Sequence, residues 1–539
     1  YYMYRWSTIY PYGTYDGLKS RSAITELEEA KPVEDQTFYH RLNLGASLHI
    51  IKGLNVNFDY TANLTNWDEH TQGGQISAIN WFNGAMTPGD IKSLYSMYTA
   101  ANYNYVQESS SRDVQNTYNG NIIYDLTIKN HVIKVQVGTN IEDEEYKYHF
   151  ARRNTPYDAN KGELNLSGGD QSVNSSHSWW SVVGYYTRIN YSYKDRYYLE
   201  LNGRYDGSSK FSKDSRWGFF PSASAAWRVS EEKWMQGIKD IVSSLKLRLS
   251  IGQNGNQDVP LSSFYPTMSI TNPPVGNSIA YWLINGNYTP YIGQAYDLVD
   301  SDLSWEKVTT YDAGIDASFL NGEINLTADV YKRITSDMLS SGNPLPISVG
   351  ANAPKTNYGE LTTNGIELSI NYTHEFANGI VLNVGGQITD YKSKITKWNS
   401  DADPTIGSYY KGYVVGSIWG FKSAGLFQKG DFVYSDNGTI QTVTVDGKLQ
   451  NVYKNLKPGY QKALEDNTAA FMFGPGDVKF KDLDGDGIID YGSNTIGDPG
   501  DRTIIGNSQP RYIFGFRIGG NWKGFDLDIF FQGVGKRHL

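Results

Sequence analysis

Apolar and polar residues alternate one by one along many short stretches of this chain. Leu245 to Ile251 read LKLRLSI, and Ile324 to Val330 read INLTADV. A period of two places every apolar side chain on one face of a β-strand, whereas helices need a period near 3.6. The pattern therefore predicts an all-β protein whose strands each have one apolar and one polar face.

About fourteen such strands are recognisable, and the connections between them alternate in length. The predicted strands are 36–50, 53–65, 113–128, 131–152, 177–194, 196–206, 216–229, 243–253, 303–319, 322–335, 357–376, 379–393, 510–523 and 524–535. Tight turns such as Asn321-Gly322 and Lys523-Gly524 suit two-residue hairpins, because glycine tolerates positive φ. Long connections such as 66–112 and 394–509 separate the hairpins. Short turns at one end and long loops at the other are typical of outer-membrane β-barrels.

The composition excludes several classes of protein. The 539 residues include no cysteine and carry a formal net charge of -9. The absence of cysteine excludes a disulfide scaffold and thiol chemistry, and the acidic balance without basic blocks argues against a nucleic-acid partner. No run of about 18 apolar residues occurs, so no transmembrane helix is predicted. An apolar fraction of 39% suits strands with one face in lipid and the other in a polar lumen.

Aromatic residues often lie near the ends of the predicted strands. Aromatic girdles of this kind mark the two lipid–water interfaces of a barrel, although tyrosine and tryptophan also favour strands generally. The candidates are Tyr39, Tyr60, Tyr124, Trp217, Trp227, Tyr311, Tyr331, Tyr372, Tyr391, Trp522 and Phe525.

Four regions carry more specific motifs. They are Ser244–Gln257, Leu303–Lys307 with Gly314–Asp316, Asp329–Asp337, and the segments Gly497–Asn507, Gln509–Tyr512 and Trp522–Gly533. Together they resemble the SusC/RagA family of TonB-dependent outer-membrane transporters. The resemblance implies a large antiparallel transmembrane β-barrel of 22 strands that holds a plug domain.

The same resemblance implies partners and a location. It implies a SusD-like surface lipoprotein as a lid and the TonB–ExbB–ExbD complex as the energy source, contacted through an N-terminal region. The barrel is expected to cross the Gram-negative outer membrane many times, in contact with the lipid bilayer and lipopolysaccharide. We expect residues 1–539 to be a partial barrel domain that lacks the plug, the TonB box and the C-terminal strands, with 394–509 as a long extracellular loop region.

Within that loop region, residues 482–493 match the spacing of a calcium-binding loop. Ca²⁺ takes six to eight oxygen ligands, which closely spaced carboxylates and one backbone carbonyl supply. The candidate ligands are Asp482, Asp484, Asp486, Ile488 through its carbonyl, and Asp490. Position twelve is Ser493 rather than glutamate, so Asp498 or Asp501 would have to close the site. We expect a structural Ca²⁺ that stiffens the loop; the alternative is a solvated acidic turn.

Aromatic clusters in the long connections are candidate substrate-binding platforms, since rings suit the apolar faces of sugars and peptide side chains. These clusters are Trp81 and Phe82; Tyr281 and Trp282 with Tyr288 and Tyr291; and Tyr409 and Tyr410 with Tyr413, Trp419 and Phe421. The alternative is that each cluster packs a loop against the barrel wall or a lid. No Walker loop, His-Glu-x-x-His motif or nucleophile elbow occurs, so we do not expect an enzyme.

The sequence thus favours active import of oligomeric nutrients through a plugged barrel. Oligosaccharides are the cargo that the family resemblance favours, and oligopeptides are the alternative. Two other outer-membrane functions remain open, namely a passive porin and a surface adhesin or structural protein. A soluble all-β carbohydrate-binding protein or hydrolase would instead bury these apolar faces between stacked sheets.

Overall fold

A computed structural model shows the fold of this chain. It describes residues 33–73, 104–158, 160–261, 263–266, 298–342, 345–349, 353–400, 402–445, 447–464 and 472–538, and short pieces within 14–31, 77–99 and 270–292. The chain divides into two compact units. The first consists of residues 1–123, 137–185 and 206–209, and the second of residues 124–136, 186–205 and 210–539.

Fourteen long strands form one antiparallel sheet. They are β1 (Val33–Ile51), β2 (Leu54–Gln72), β3 (Tyr105–Ile128), β4 (His131–Asn154), β5 (Gln171–Tyr193), β6 (Tyr197–Ser208), β7 (Trp217–Arg228), β8 (Val242–Asn256), β9 (Glu306–Phe319), β10 (Ile324–Ser341), β11 (Lys355–Glu375), β12 (Val381–Lys397), β13 (Arg511–Trp522) and β14 (Phe525–Lys536). Each strand pairs with its neighbours in the chain, from β1 at one end of the order to β14 at the other. The fourteen predicted strands are confirmed. Among the described residues the sheet is open, with fourteen of the 22 strands that the family resemblance implies.

The alternation of short and long connections is also confirmed. Two residues join β1 to β2 and β13 to β14, and the glycine of each turn, Gly53 and Gly524, has a φ of 85° and 88°. Because neighbouring strands are antiparallel and consecutive, the long connections that follow β2, β4, β8, β10 and β12 all leave the same end of the sheet. We call this end the long-loop end and the opposite end the short-turn end.

Strand register collects the apolar side chains on one face of the sheet. In the second unit, one row of cross-strand neighbours runs Leu247, Ile315, Ala328, Leu368 and Ile388. Its large members are exposed, with 42% of both Ile315 and Leu368 accessible. Exposed apolar rows of this extent are rare on water-soluble monomers. Among the described residues no second sheet covers this apolar face, which is the arrangement expected of a wall that faces lipid.

The same register places the aromatic candidates. Eight of them lie on the apolar face, whereas Tyr39, Tyr331 and Tyr391 lie on the polar face. Tyr331 and Tyr391 are each paired with Gly365, where their rings have room. The prediction that these three tyrosines belong to a lipid-facing girdle is wrong, because their positions in the two-residue period point them to the other side.

Described side chains that are fully buried lie mainly near the long-loop end of the second unit. The Trp305 ring packs 5.3 Å from the Phe211 ring and 5.4 Å from the Phe220 ring, centroid to centroid. Its indole N–H donates a 2.8 Å hydrogen bond to the Arg216 carbonyl. This contact explains the tryptophan of the Leu303–Lys307 motif, since it ties the long connection before β9 to the strands beside it.

The connection between β12 and β13 forms a small folded insert. Three two-stranded ladders organise it: Ser417–Phe421 with Arg502–Asn507, Ser423–Leu426 with Val478–Phe480, and Thr442–Val445 with Lys448–Asn451. Its apolar core consists of buried aromatic residues and one isoleucine, namely Phe427, Phe432, Tyr453, Tyr460, Phe473 and Ile489. The loop region predicted at 394–509 therefore has its own hydrophobic core.

Short 3-10 turns such as Lys233–Ile238 connect some of the strands. Among the described residues, no helix has both the length and the hydropathy that a membrane span requires.

Candidate functional site

The polar face of the sheet carries fixed ion pairs in the second unit. The Arg248 guanidinium donates to Asp316 at 2.8 and 3.1 Å and to Asp329 at 3.2 Å, which bridges three adjacent strands. Nearer the short-turn end, the Arg517 guanidinium donates to Asp528 through Nε at 2.7 Å and through Nη2 at 2.5 Å. Bidentate pairs of this type hold charged side chains in defined orientations. The polar face is thus a charged surface with a fixed pattern.

In the first unit, amide side chains form a ladder on the polar face. Asn63 donates to Gln115 at 3.1 Å, and Gln115 donates in turn to Glu142 at 2.6 Å. Asn57 and Asn121 repeat this arrangement nearer the short-turn end, at 3.0 Å. Amides and carboxylates at this density bind water and the hydroxyl groups of polar solutes. Both units therefore present a hydrogen-bonding wall on the face opposite the lipid.

An aromatic cluster lies where the insert leaves β12 at the long-loop end. The Tyr409 ring lies 5.3 Å from Trp398 and 5.4 Å from Tyr413, and Tyr410 lies 5.6 Å from Tyr413. The chain around Tyr413 is hydrogen-bonded to β12, with Ile395 N–H donating to the Tyr413 carbonyl at 2.9 Å. Nearly half of the Tyr409 side chain is exposed. This cluster offers an aromatic surface on a rigid support.

The structure brings only part of the predicted aromatic set together. Tyr409, Tyr410 and Tyr413 belong to the cluster, and Trp398 joins them. Phe421 instead packs against Phe480 and Tyr491. Trp419 does not stack with these rings: it pairs with Ile504 in the first ladder of the insert, and its indole N–H has no hydrogen-bond partner within the described chain. Two further predicted pairs, Trp81 with Phe82 and Tyr281 with Trp282, fall outside the described residues.

Tyr410 and Tyr413 are the partly buried tyrosines of the cluster. Burial raises the pKa of both the Tyr410 and the Tyr413 phenol above the ordinary value. A tyrosine phenol is neutral at pH 7, so both hydroxyl groups can donate hydrogen bonds beside the exposed Tyr409 ring. A neutral ring surface with hydroxyl donors at its edge is suited to sugars and to peptide side chains.

The acidic loop of the insert folds around its own carboxylates. Asp482 accepts the Gly485 and Gly487 N–H groups at 2.6 and 2.9 Å, and Asp484 accepts the Asp486 N–H at 3.1 Å. Such turns bend the chain so that side chains of alternate residues face one point. The loop therefore adopts a compact form rather than an extended acidic strand.

Asp501 meets the loop from further along the chain. One carboxylate oxygen each of Asp482, Asp484 and Asp501 lies within 4.8 Å of the other two. Asp501 is completely buried and accepts the Leu483 and Asp490 N–H groups at 2.5 and 3.0 Å. Of the two candidates for closing the loop, Asp501 is thus the one that reaches it.

The three clustered carboxylates do not include the other candidate ligands, namely Asp486, Ile488, Asp490 and Asp498. Asp486 and Asp490 use one carboxylate oxygen each for N–H groups two residues ahead, and neither joins the three clustered carboxylates. Asp498 accepts both the hydroxyl and the N–H of Ser493, which hold its pKa below the ordinary value. Burial has the opposite effect at Asp501 and raises its pKa, with further contributions from Asp484 and Asp482. A divalent cation would relieve this unfavourable concentration of charge.

The chain matches known proteins over most of its length. The family model described as TonB dependent receptor-like, beta-barrel, matches residues 2–461. The TonB-dependent receptor SusC of Bacteroides thetaiotaomicron is 31% identical over 328 residues, which cover 59% of this chain and 28% of SusC. The TonB-dependent receptor P3 of Formosa agariphila is 25% identical over 508 residues, which cover 92% of this chain and 44% of that receptor.

A solved structure shows the same fold. The RagAB peptide transporter aligns with 97% of this chain and 50% of its own, at a TM-score of 0.69 and 19% sequence identity. The chain spans less than half the length of the curated relatives that it matches. This chain belongs to the TonB-dependent receptor-like β-barrel family, and its similarity to SusC confirms the resemblance to the SusC/RagA transporters.

Proposed function

We propose that this chain forms wall strands and an extracellular insert of an outer-membrane transporter that actively imports oligomeric nutrients. The observation that carries the proposal is the division of one sheet into two faces. One face exposes apolar rows to lipid, and the other presents charged and amide groups in fixed positions. A sheet of this kind encloses a wet interior in the membrane.

Family membership supports active transport over passive diffusion. A porin wall has the same two faces, but the chain belongs to the TonB-dependent receptors rather than the porins. The proposal therefore includes a plug domain, energy from the TonB–ExbB–ExbD complex and a SusD-like lipoprotein lid. Deleting the gene for TonB in the native bacterium should abolish uptake of the cargo. Uptake that continues unchanged without TonB would support the passive porin instead.

Cargo is proposed at the level of chemical class. Glycans are the proposed cargo, and oligopeptides are the alternative, since the structurally similar RagAB protein is a peptide transporter. Growth of a deletion strain on a panel of glycans and peptides tests both classes. Loss of growth on one class identifies the cargo, and wild-type growth on every compound would contradict nutrient import and favour an adhesive or structural protein.

The aromatic cluster is the proposed contact for that cargo. Tyr409→Ala removes the exposed ring, so we expect slower uptake at low cargo concentration and normal amounts of receptor at the cell surface. Tyr434→Ala is the matched control, because Tyr434 is also exposed in the insert but lies outside the cluster. Equal uptake by the two variants would show that the cluster packs a loop rather than binds cargo.

Calcium at the acidic loop remains a prediction. The three clustered carboxylates support it, since they offer closely spaced oxygen atoms of the kind that Ca²⁺ prefers. The proposed role is structural, namely to fix the fold of the insert.

A further inference from the structure

Three lysines lie near one another on the apolar face of the second unit, one register row above Val330 and Ile366. Register pairs Tyr311 with Lys332, Lys332 with Asn364, and Asn364 with Lys392, so these residues form one row across four strands. Lys394 lies two residues further toward the long-loop end. All three lysines are exposed, and each is on the apolar-face side of its strand. On β10 to β12 the row lies on the long-loop side of Val330 and Ile366, the side on which headgroups of the outer leaflet would lie.

No carboxylate neutralises these lysines within the described chain. The exposed ion pairs of the wall involve other residues, and the nearest acid in the register, Asp390, is bound by two nitrogens of Arg511. Lys332 and Lys392 are separated by one intervening strand, hence by roughly 10 Å at the usual spacing between strands. Two unpaired ammonium groups at this separation can bind one doubly charged or two adjacent singly charged anionic groups.

A groove lies directly below this row on the same face. It has a volume of about 620 Å³ and is bordered by Leu199, Leu249, Ile251, Tyr311, Val330 and Lys332. Its floor contains three alanines, Ala223, Ala225 and Ala313, which are cross-strand neighbours of Ile251 and Leu249. Ala223 and Ala225 lie on β7 and Ala313 lies on β9, so small residues flank the projecting Leu249 and Ile251 of β8 and leave a depression on either side of them. The groove is continuous with the lipid-contacting surface and ends at Lys332.

We propose that this groove and the lysines above it bind one molecule of a phosphorylated, acylated lipid of the outer leaflet. An acyl chain would lie over the alanine floor, and a phosphate would bind Lys332 and Lys392 with Asn364 between them. Charge complementarity favours an anionic headgroup over a zwitterionic one, and the continuity with the lipid-facing band favours a lipid over a soluble phosphate. The site does not depend on the cargo or on TonB.

Lipid retention by the full-length receptor tests the proposal. The purified receptor would be incubated in detergent with purified lipid A that keeps its phosphates, with the same lipid after enzymatic dephosphorylation, or with inorganic phosphate, and bound lipid counted by native mass spectrometry. We expect one tightly retained phosphorylated molecule, weaker retention of the dephosphorylated lipid, and no retention of phosphate alone. Equal retention of the two lipids would overturn the role of the lysines.

Matched variants separate charge from shape. Lys332→Gln with Lys392→Gln should weaken binding of phosphorylated lipid A by roughly 30-fold, which equals about 2 kcal/mol, or about 1 kcal/mol per lysine. Lys52→Gln with Lys233→Gln removes two exposed lysines at the short-turn end and should leave binding unchanged. Ala225→Phe fills the groove with an apolar side chain that the lipid face tolerates, and it should weaken binding of both lipids. The site would be contradicted if the two lysine double variants lost lipid binding equally, or if Ala225→Phe lost none.

Discussion

Replacing Ile315 by arginine tests whether the apolar face lies in lipid. Ile315 lies in the middle row of the apolar band, paired with Leu247 on one side and Ala328 on the other, and it is 42% exposed. In water, an exposed isoleucine can become arginine within about 0.5 kcal/mol of neutral. In a bilayer, arginine on the lipid face near the midplane destabilises a barrel by about 2–4 kcal/mol. The two environments therefore predict clearly different results for one substitution.

A matched substitution controls for the arginine itself. Thr327 lies on the adjacent strand at nearly the same depth, but it faces the polar side and its hydroxyl lies 3.4 Å from Asp316. Thr327→Arg adds a cation on the polar face beside Asp316 and Asp329, which already bind Arg248. The attraction and repulsion there offset each other in contact with water, so we expect a change in the free energy of unfolding of less than about 1 kcal/mol.

Urea unfolding of the full-length receptor in phospholipid vesicles, followed by tryptophan fluorescence, measures both variants. We expect Ile315→Arg to shift the unfolding midpoint strongly and Thr327→Arg to shift it little. The assignment of the two faces is refuted if Ile315→Arg unfolds at the same urea concentration as the wild type, or if the two variants lose equal stability. The proposed lumen and the lipid site would then both lose their basis.

Three further changes test other parts of the fold. Gly365→Ala should destabilise the wall by about 1–3 kcal/mol, because the added methyl group would overlap the Tyr331 ring. Gly386→Ala is the control: its added methyl group would have its nearest neighbour 3.9 Å away, so it should be neutral in the same urea titration. Phe427→Ala removes a ring that is 1% exposed from the insert core and should destabilise the insert by about 3–5 kcal/mol. We expect new protease cleavage within 417–507, while the unheated wall still migrates on a gel as a folded barrel. Asp484→Asn should make the insert protease-sensitive even with Ca²⁺ present, whereas the wild type should become sensitive only in chelator; unchanged cleavage of the wild type in chelator would count against calcium.

The strands could be predicted from sequence because their signal is local. A period of two is visible within seven residues such as 245–251, and the glycine turns mark where pairs of strands reverse. The order of the sheet then follows from chain order alone. The face of an individual aromatic residue depends on counting positions from the correct strand start, so proximity to a strand end places Tyr39, Tyr331 and Tyr391 on the wrong side.

Contacts made by irregular chain could not be predicted in this way. In sequence, Asp498 and Asp501 are equal candidates for closing the acidic loop, and only the fold shows that Asp501 is buried against it. Trp419 lies close in sequence to the tyrosines of the aromatic cluster, yet the ladder that contains it directs it elsewhere. The row of lysines across β10 to β12 also requires register, since its members come from distant parts of the chain.

The wall and the insert use apolar side chains in opposite ways, and this difference determines what a bound cation can stabilise. The wall exposes its leucines and isoleucines to lipid, whereas the insert buries Ile489 completely among aromatic rings. Ile489 is also a residue of the acidic loop, and its N–H donates to the Tyr460 carbonyl of the insert core at 2.5 Å. A cation that orders the loop therefore stabilises this core directly, by an amount that grows with the ratio of its concentration to its dissociation constant. Among the described residues no wall strand contributes to that core, so calcium should change the stability of the insert and leave the unfolding of the sheet unaffected.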